Sequence, residues 1–306
     1  MHLKPYALVL AACVVAAGCR QGAPADATGA ATTPTAPAEA ASAGPAPAGA
    51  ADDNLNAVAW IQTSVEYRAL SAQTYHAASQ LLDRALKEKN WDALVPGERA
   101  DDFAGKPPAI IVDVDETVLD NSPYQARLIA QGAEYNEVTW NEWVSEKKAR
   151  AVPGVVDFAK AAEQRGITIV YLSNRAAHTR DATLENLRAA GLPVKDDSVF
   201  LGLGLHVDGC EQHGSEKNCR RQLAGRQYRV LMQFGDQLGD FVQITANTRE
   251  GREGLYDEYR DWFGQRWWML ANPTYGSWEP ALFNNDFAQP REARREAKRA
   301  ALELAQ

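Results

Sequence analysis

Four polar clusters in this chain carry residue types that could do chemistry together. They are Asp113-Val-Asp115-Glu-Thr117, Ser173-Asn174-Arg175, Lys217 in Gly-Ser-Glu-Lys-Asn-Cys-Arg-Arg, and Gly235-Asp236-Gln-Leu-Gly-Asp240. A single Asp after an apolar run commonly caps the next helix. Two Asp at i and i+2 of an extended chain point to one side, and a second pair from another strand end is expected to converge on them. Four converging carboxylates repel one another and destabilise a fold that holds no cation beside them. An all-oxygen ligand set suits a hard ion such as Mg²⁺ better than zinc. Beside that ion, one Asp could attack phosphorus and form an aspartyl-phosphate. Another could give a proton to the leaving oxygen and later activate water. Ser173, Asn174 and Lys217 could bind the phosphoryl oxygens that are not transferred, where positioning and electrostatics supply most of the rate. Arg175 is placed with Asn174 as a substrate-binding residue.

These clusters need elements that bring them to one place. Ala109-Ile-Ile-Val-Asp-Val reads as a buried strand from its branched residues and lack of alternation. Ile167–Leu172, Val199–Leu201, Tyr228–Phe234 and Trp267–Leu270 read as four more. A helix opened by Pro153 and closed by Gly166, and another over Thr179–Ala190, fall between strands. Strands alternating with helices predict an α/β fold: a parallel sheet covered on both faces, with ligands at the carboxyl ends of its strands. Residues 54–90 carry apolar residues at helical spacing without Pro or Gly and predict one or two long helices. Arg291–Leu304 predicts a solvated terminal helix.

In order along the chain, Asp113-x-Asp115-x-Thr117, Ser173, Lys217 and Gly235-Asp236-x-x-x-Asp240 resemble the four motifs of the haloacid dehalogenase (HAD) superfamily of phosphatases. The longer strings Ile111–Tyr124 and Val230–Phe241 resemble the paired signatures of class C acid phosphatases, bacterial outer-membrane lipoproteins with 5'-nucleotidase activity. The resemblance covers about Asp53–Phe287. It implies a HAD-like Rossmannoid parallel sheet flanked by helices, with a smaller, mostly helical cap region. Helical additions are expected at about 53–105 and 120–150. By this resemblance Asp113 is the nucleophile and Asp115 the general acid/base. Mg²⁺ would be held by the Asp113 carboxylate, the Asp115 backbone carbonyl and Asp236, with Asp240 as a further ligand or close behind them. Gln237 stands where the family usually has Asn or Thr, and Val114 where Ile or Leu is usual. Homodimers are known in the family.

Trp140 and Trp143, in Thr-Trp-Asn-Glu-Trp, and Tyr275, in Asn-Pro-Thr-Tyr-Gly-Ser-Trp-Glu, lie in segments resembling those from which the family builds an aromatic clamp around a nucleobase. Trp140 and Tyr275 are assigned to it, since base stacking is worth about 1–3 kcal/mol and tolerates any base. Trp143 and Trp278 are expected to pack. Tyr67 is a candidate to face the site, and His206 a candidate substrate contact. The expected substrates are small phosphomonoesters, nucleoside monophosphates first. Phosphoryl transfer to an alcohol, or nucleotide binding without turnover, are the readings set against hydrolysis.

The N-terminus predicts export. His2 and Lys4 precede an apolar run ending in Ala16-Ala-Gly-Cys19, which is too short to span a bilayer. This resembles a bacterial lipobox, so residues 1–18 are expected to be a lipoprotein signal peptide and Cys19 the lipidated residue; Leu10-Ala-Ala-Cys13 is a competing match. Residues 19–52, nearly all Ala, Pro, Thr, Gly and Ser, are expected to be a flexible tether of roughly 30 Å mean span. The domain is expected over 53–306. Arg20 after Cys19 favours the outer membrane of a bacterial cell envelope. The net charge of -8 over 306 residues argues against a nucleic-acid polymer as partner. In an oxidising envelope Cys210 and Cys219 either form a disulfide or remain thiols.

Overall fold

The computed structural model describes residues 53–305. The signal peptide, the tether and both candidate lipidation sites, Cys13 and Cys19, lie outside the described residues. In chain order the elements are α1 (Leu55–Thr63), α2 (Val65–Ser79), α3 (Leu82–Lys87), β1 (Pro108–Val112), β2 (Leu119–Asp120), α4 (Ser122–Gln131) and α5 (Glu137–Glu146). Then come β3 (Arg150–Ala151), α6 (Val155–Glu163), β4 (Thr168–Ala176), α7 (Arg180–Ala189), β5 (Phe200–Leu203) and α8 (Asn218–Gln227). The last are β6 (Arg229–Gly235), α9 (Arg249–Tyr259), β7 (Trp267–Met269) and α10 (Arg291–Ala300).

The main sheet has the order β5-β4-β1-β6-β7, and every pairing in it is parallel. This is the α/β architecture expected from the sequence. β1 is central because its residues are apolar on both sides. Ile110 and Val112 face a core with Tyr75 of α2, Phe158 of α6 and Leu187 of α7. Ala109 and Ile111 face a second core with Ala224 of α8, Phe241 and Trp267. Fully burying an aliphatic side chain of this size stabilises by about 1.5–3 kcal/mol, so a polar residue is excluded on either face. Neighbours β4 and β6 depart from β1 in opposite directions, and the crevice between their carboxyl ends is where such sheets bind ligands. Asp113, Ser173 and Asp236 all sit at that edge.

Two elements differ from expectation. Residues 54–90 form three helices rather than one or two. Ser64 adopts an extended backbone and its hydroxyl accepts from Tyr67 N at 3.0 Å, so its capping bond ends one helix and begins the next. β4 runs on through Ser173, Asn174 and Arg175 to Ala176, because Ala176 still pairs with Leu203 of β5. The cap region is α4 and α5, tied by the two-residue antiparallel pair β2–β3. Cys210 and Cys219 form a disulfide with Cα atoms 5.6 Å apart. Closing so short a loop contributes about 2–3 kcal/mol through the unfolded chain. Among the described residues no helix is long and apolar enough to cross a membrane.

Candidate active site

Asp113 follows the last residue of β1 and is still tied to β6, its N–H donating to Phe234 O at 2.9 Å. The chain then turns sharply. Val118 and Leu119 N–H both donate to Val114 O, at 3.0 and 2.8 Å, and Glu116 adopts a left-handed backbone with φ 59°. That conformation is disfavoured for a residue with a Cβ, and several bonds hold it. Asn121 N–H donates to Glu116 Oε1 at 2.8 Å, the Tyr275 hydroxyl donates to Glu116 Oε2, and the buried Tyr75 hydroxyl donates to Thr117 O at 2.7 Å. Burial, then the charges of Asp115 and Asp236, lift Glu116 well above the usual carboxylate range.

The turn changes the expected geometry. Of the four carboxylates predicted to converge, three do: Asp113, Asp236 and Asp240 are buried, with oxygens all within 4.8 Å of one another. Asp115 has left the strand period, so the i, i+2 rule no longer aligns its side chain with that of Asp113. Its carboxylate goes instead to Arg175 Nε at 2.9 Å, Asn121 Nδ2 at 2.8 Å and the Ser173 hydroxyl at 3.4 Å.

Lys217, only 4% exposed, reaches the triad from the N-terminus of α8. Its Nζ donates to Asp113 Oδ1 and, at 2.7 Å, to Asp240 Oδ1. Asp236 accepts from Asn272 Nδ2 at 2.8 Å and from the Thr117 hydroxyl at 3.4 Å. Asp240 Oδ2 accepts from Gln237 N–H at 2.9 Å, closing the turn after β6. Gly235 permits that closure: a Cβ there would lie 2.3 Å from Asp240 Cβ. Gln237, at the position where the family usually has Asn or Thr, accepts from Ser277 N–H at 2.8 Å, two residues after Tyr275.

One ammonium cannot balance three carboxylates. Burial, opposed by Lys217 and reinforced by Asp240 and Asp115, pushes Asp113 up to about 7. Burial, then Asp240 and Asp113, lifts Asp236 well above its ordinary value. Burial pulls Lys217 down, but Asp113 and Asp240 more than offset it and hold its pKa above the ordinary value. An under-compensated, all-oxygen donor set is a fit for a hard divalent cation, and the Asp113–Asp236–Asp240 triad can hold one.

The extended β4 sorts the second cluster by strand alternation. Ser173 is fully buried, its hydroxyl accepting from Arg175 N–H at 3.0 Å and donating to Asp115. Asn174 is exposed, its carbonyl oxygen held by Arg220 at 2.8 Å. Arg175, expected to bind substrate, is 1% exposed. Its guanidinium is committed to Asp115, Thr183 and Asn121, so it holds Asp115 in place. Period 2 puts it on the side of Ser173, facing the turn.

Of the two assigned aromatic residues, Tyr275 touches that turn and Trp140 lies over Arg175, which in turn holds Asp115. Half-buried Trp140 meets Tyr124 edge-on at 5.2 Å and lies 5.6 Å from the Arg175 guanidinium. Tyr275 reaches Glu116 through its hydroxyl. Trp143 packs as expected, buried with its Nε1 on Asn121 Oδ1 at 2.8 Å. Trp278 packs only in part: it is 39% exposed, with its ring edge against Gly276. Tyr67 lies within range of Asp120, Glu116 and Asp236, whose charges add to burial in raising it. His206 pairs with Asp208 on the surface. Sequence reasoning missed Asn121, Tyr75, Asn272, Arg220 and Arg221. Only the adjacent Arg220-Arg221 in an otherwise helical pattern offered a signal.

A parallel sheet that gathers an acidic triad able to hold a cation, a bridging lysine and a strand-end Ser-Asn pair at one edge defines a phosphoryl-handling α/β protein. The chain belongs to the HAD superfamily, subfamily IIIB (acid phosphatase), whose family model matches residues 25–278. It is similar to the class C acid phosphatase from Bacillus anthracis, at 31% identity and a TM-score of 0.71 over 83% of this chain and 98% of that one. The same protein with tungstate bound superposes at 33% identity and a TM-score of 0.72, with the same coverage. Acid phosphatase 1 of Solanum lycopersicum is 26% identical over 139 residues, 45% of this chain and 54% of that protein. The chain spans about half the length of the curated relatives it matches.

Proposed function

We propose that this protein is a secreted, Mg²⁺-dependent acid phosphatase that hydrolyses nucleoside 5'-monophosphates through an aspartyl-phosphate on Asp113. The observation that carries the reading is the Lys217 ammonium bridging Asp113 and Asp240 beside Asp236. Asp113 attacks phosphorus and the P–O bond to the alcohol breaks, while Asp115 gives a proton to the departing oxygen. Asp115 then takes a proton from water as that water attacks phosphorus, releasing phosphate and freeing the Asp113 carboxylate. Lys217, Ser173 and Asn174 hold the phosphoryl oxygens, and Arg175 with Asn121 keeps Asp115 aimed. Asp113, Asp236, Asp240 and the Asp115 backbone carbonyl would hold Mg²⁺, and the bound ion would supply neutralisation of charge on the phosphoryl group. The Bacillus anthracis enzyme binds tungstate, a tetrahedral oxyanion of phosphate's shape, which supports oxyanion binding by this family.

Nucleoside preference rests on Tyr275, bonded to Glu116 of the 113–117 turn, and on Trp140, which lies over the Arg175 that holds Asp115. The purified protein should release phosphate from AMP with Mg²⁺ and not with EDTA. Trp140→Ala should raise KM for AMP about 5- to 160-fold, the equivalent of about 1–3 kcal/mol of stacking, and leave KM for glycerol phosphate within about twofold. Equal shifts for both substrates would remove the base clamp from the reading. Lipid anchoring through Cys19 to the outer membrane completes the proposal and rests on the Ala16–Cys19 string and Arg20; homodimerisation rests on the family resemblance alone. Cells expressing the chain should incorporate labelled palmitate into it. Label that persists in Cys19→Ala would move the anchor to Cys13.

A further inference from the structure

One helical turn, Lys217–Arg221 at the start of α8, reaches three separate segments of the site. Lys217 bridges Asp113 and Asp240, as described. The other two contacts come from a pair of adjacent arginines, both fully buried. Arg220 Nη1 donates to Ser173 O at 2.6 Å, and its Nη2 donates to Asn174 Oδ1 at 2.8 Å and Glu216 O at 3.0 Å. Arg221 forks onto both oxygens of Glu98, at 2.6 and 2.7 Å. Its Nη1 donates to Gly239 O at 2.8 Å and Asp240 O at 3.1 Å. Immediately before the two arginines, Cys219 is joined to Cys210, so the turn is also fixed covalently to the preceding loop.

Burying two neighbouring guanidinium groups is unfavourable by charge and by desolvation. Glu98 offsets the charge of Arg221. The bonds of Arg220 go to carbonyl and amide oxygens, and its Nε is buried without a partner. Space filling alone would be served better by an apolar side chain. What the two arginines achieve that an apolar pair cannot is the gathering of backbone carbonyls from two different strand ends.

We infer that Arg220 and Arg221 are positioning residues that set the two halves of the site independently. Arg220 fixes the Ser173–Asn174 end of β4, which on the phosphatase reading holds the phosphoryl oxygens. Arg221, through Glu98 and the 238–240 turn, fixes the presentation of Asp240 to the cation. The inference rests on that reading only for what occupies each half.

The test separates the halves by binding, without turnover. Mg²⁺ is titrated calorimetrically into the cation-free protein, and tungstate into protein saturated with Mg²⁺, for wild type, Arg220→Met and Arg221→Met. Arg220→Met should weaken tungstate by about 10- to 100-fold and leave Mg²⁺ within about twofold. Arg221→Met should weaken Mg²⁺ by about tenfold or more, the usual effect of losing a residue that orients a metal ligand, and leave tungstate within about twofold. Arg220→Lys and Glu98→Gln, which keep volume and polarity, carry the same opposite pattern with smaller factors if a Met variant does not fold. Parallel loss of both ligands in each variant, or no change in either, overturns the inference. Wild-type protein that binds neither Mg²⁺ nor tungstate would instead overturn the phosphatase reading itself.

Discussion

Asp113→Asn should lower kcat for any phosphomonoester by at least about 10³-fold, because the amide oxygen cannot serve as the attacking group. The substitution is close to isosteric, and the amide oxygen can still accept from the Lys217 ammonium that now bonds Asp113. It also removes one of three buried carboxylates facing a single lysine. The variant should therefore keep its fold, with a Tm in cation-free buffer equal to or above that of wild type, and should bind Mg²⁺ more weakly. Steady-state kinetics and calorimetry on one preparation check all three. Activity above about 1% of wild type in a folded variant would mean that water attacks phosphorus directly and that Asp113 only holds the cation.

Removing divalent cations should destabilise the protein, and more so at pH 8 than at pH 5. Asp113 sits at about 7 in the fold against an ordinary 3.8, chiefly through burial, and Asp236 and Glu116 are raised in the same sense. Between pH 4 and 7 the native state thus binds more protons than the unfolded chain. The stability this confers is complete below about pH 4 and is lost as pH rises through 7, leaving buried carboxylates charged, desolvated and mutually repelling. Mg²⁺ replaces those protons. At a hundred times its Kd it should add about 2.7 kcal/mol, raising Tm by roughly 5–10 °C at pH 8 and by much less at pH 5. Asp92, lifted to about 6 by burial, follows the same pH trend but does not touch the triad, so the difference between EDTA and Mg²⁺ isolates the acidic cluster. A Tm shift of equal size at both pH values would show that proton and cation do not compete for these carboxylates.

The sequence by itself determined the sheet and the place of the chemistry. The doubly apolar run at 109–112 could sit only in the middle of a covered parallel sheet, and the acidic clusters followed strand ends, where such sheets bind ligands. Lys217 and the two Asp of the last cluster were legible because their charges make sense only together. Three things were decided by tertiary structure. The left-handed Glu116 turn sent the Asp115 carboxylate to Arg175 and away from the triad, a backbone choice that no residue spacing encodes. The pairing of Ala176 with Leu203 lengthened β4 and turned Arg175 inward, converting an expected substrate contact into a support for Asp115. The carbonyls gathered by Arg220 and Arg221 come from segments up to 47 residues away. Contacts of that kind depend on where backbones cross, and backbone oxygens are the same at every residue, so no side-chain pattern announces them.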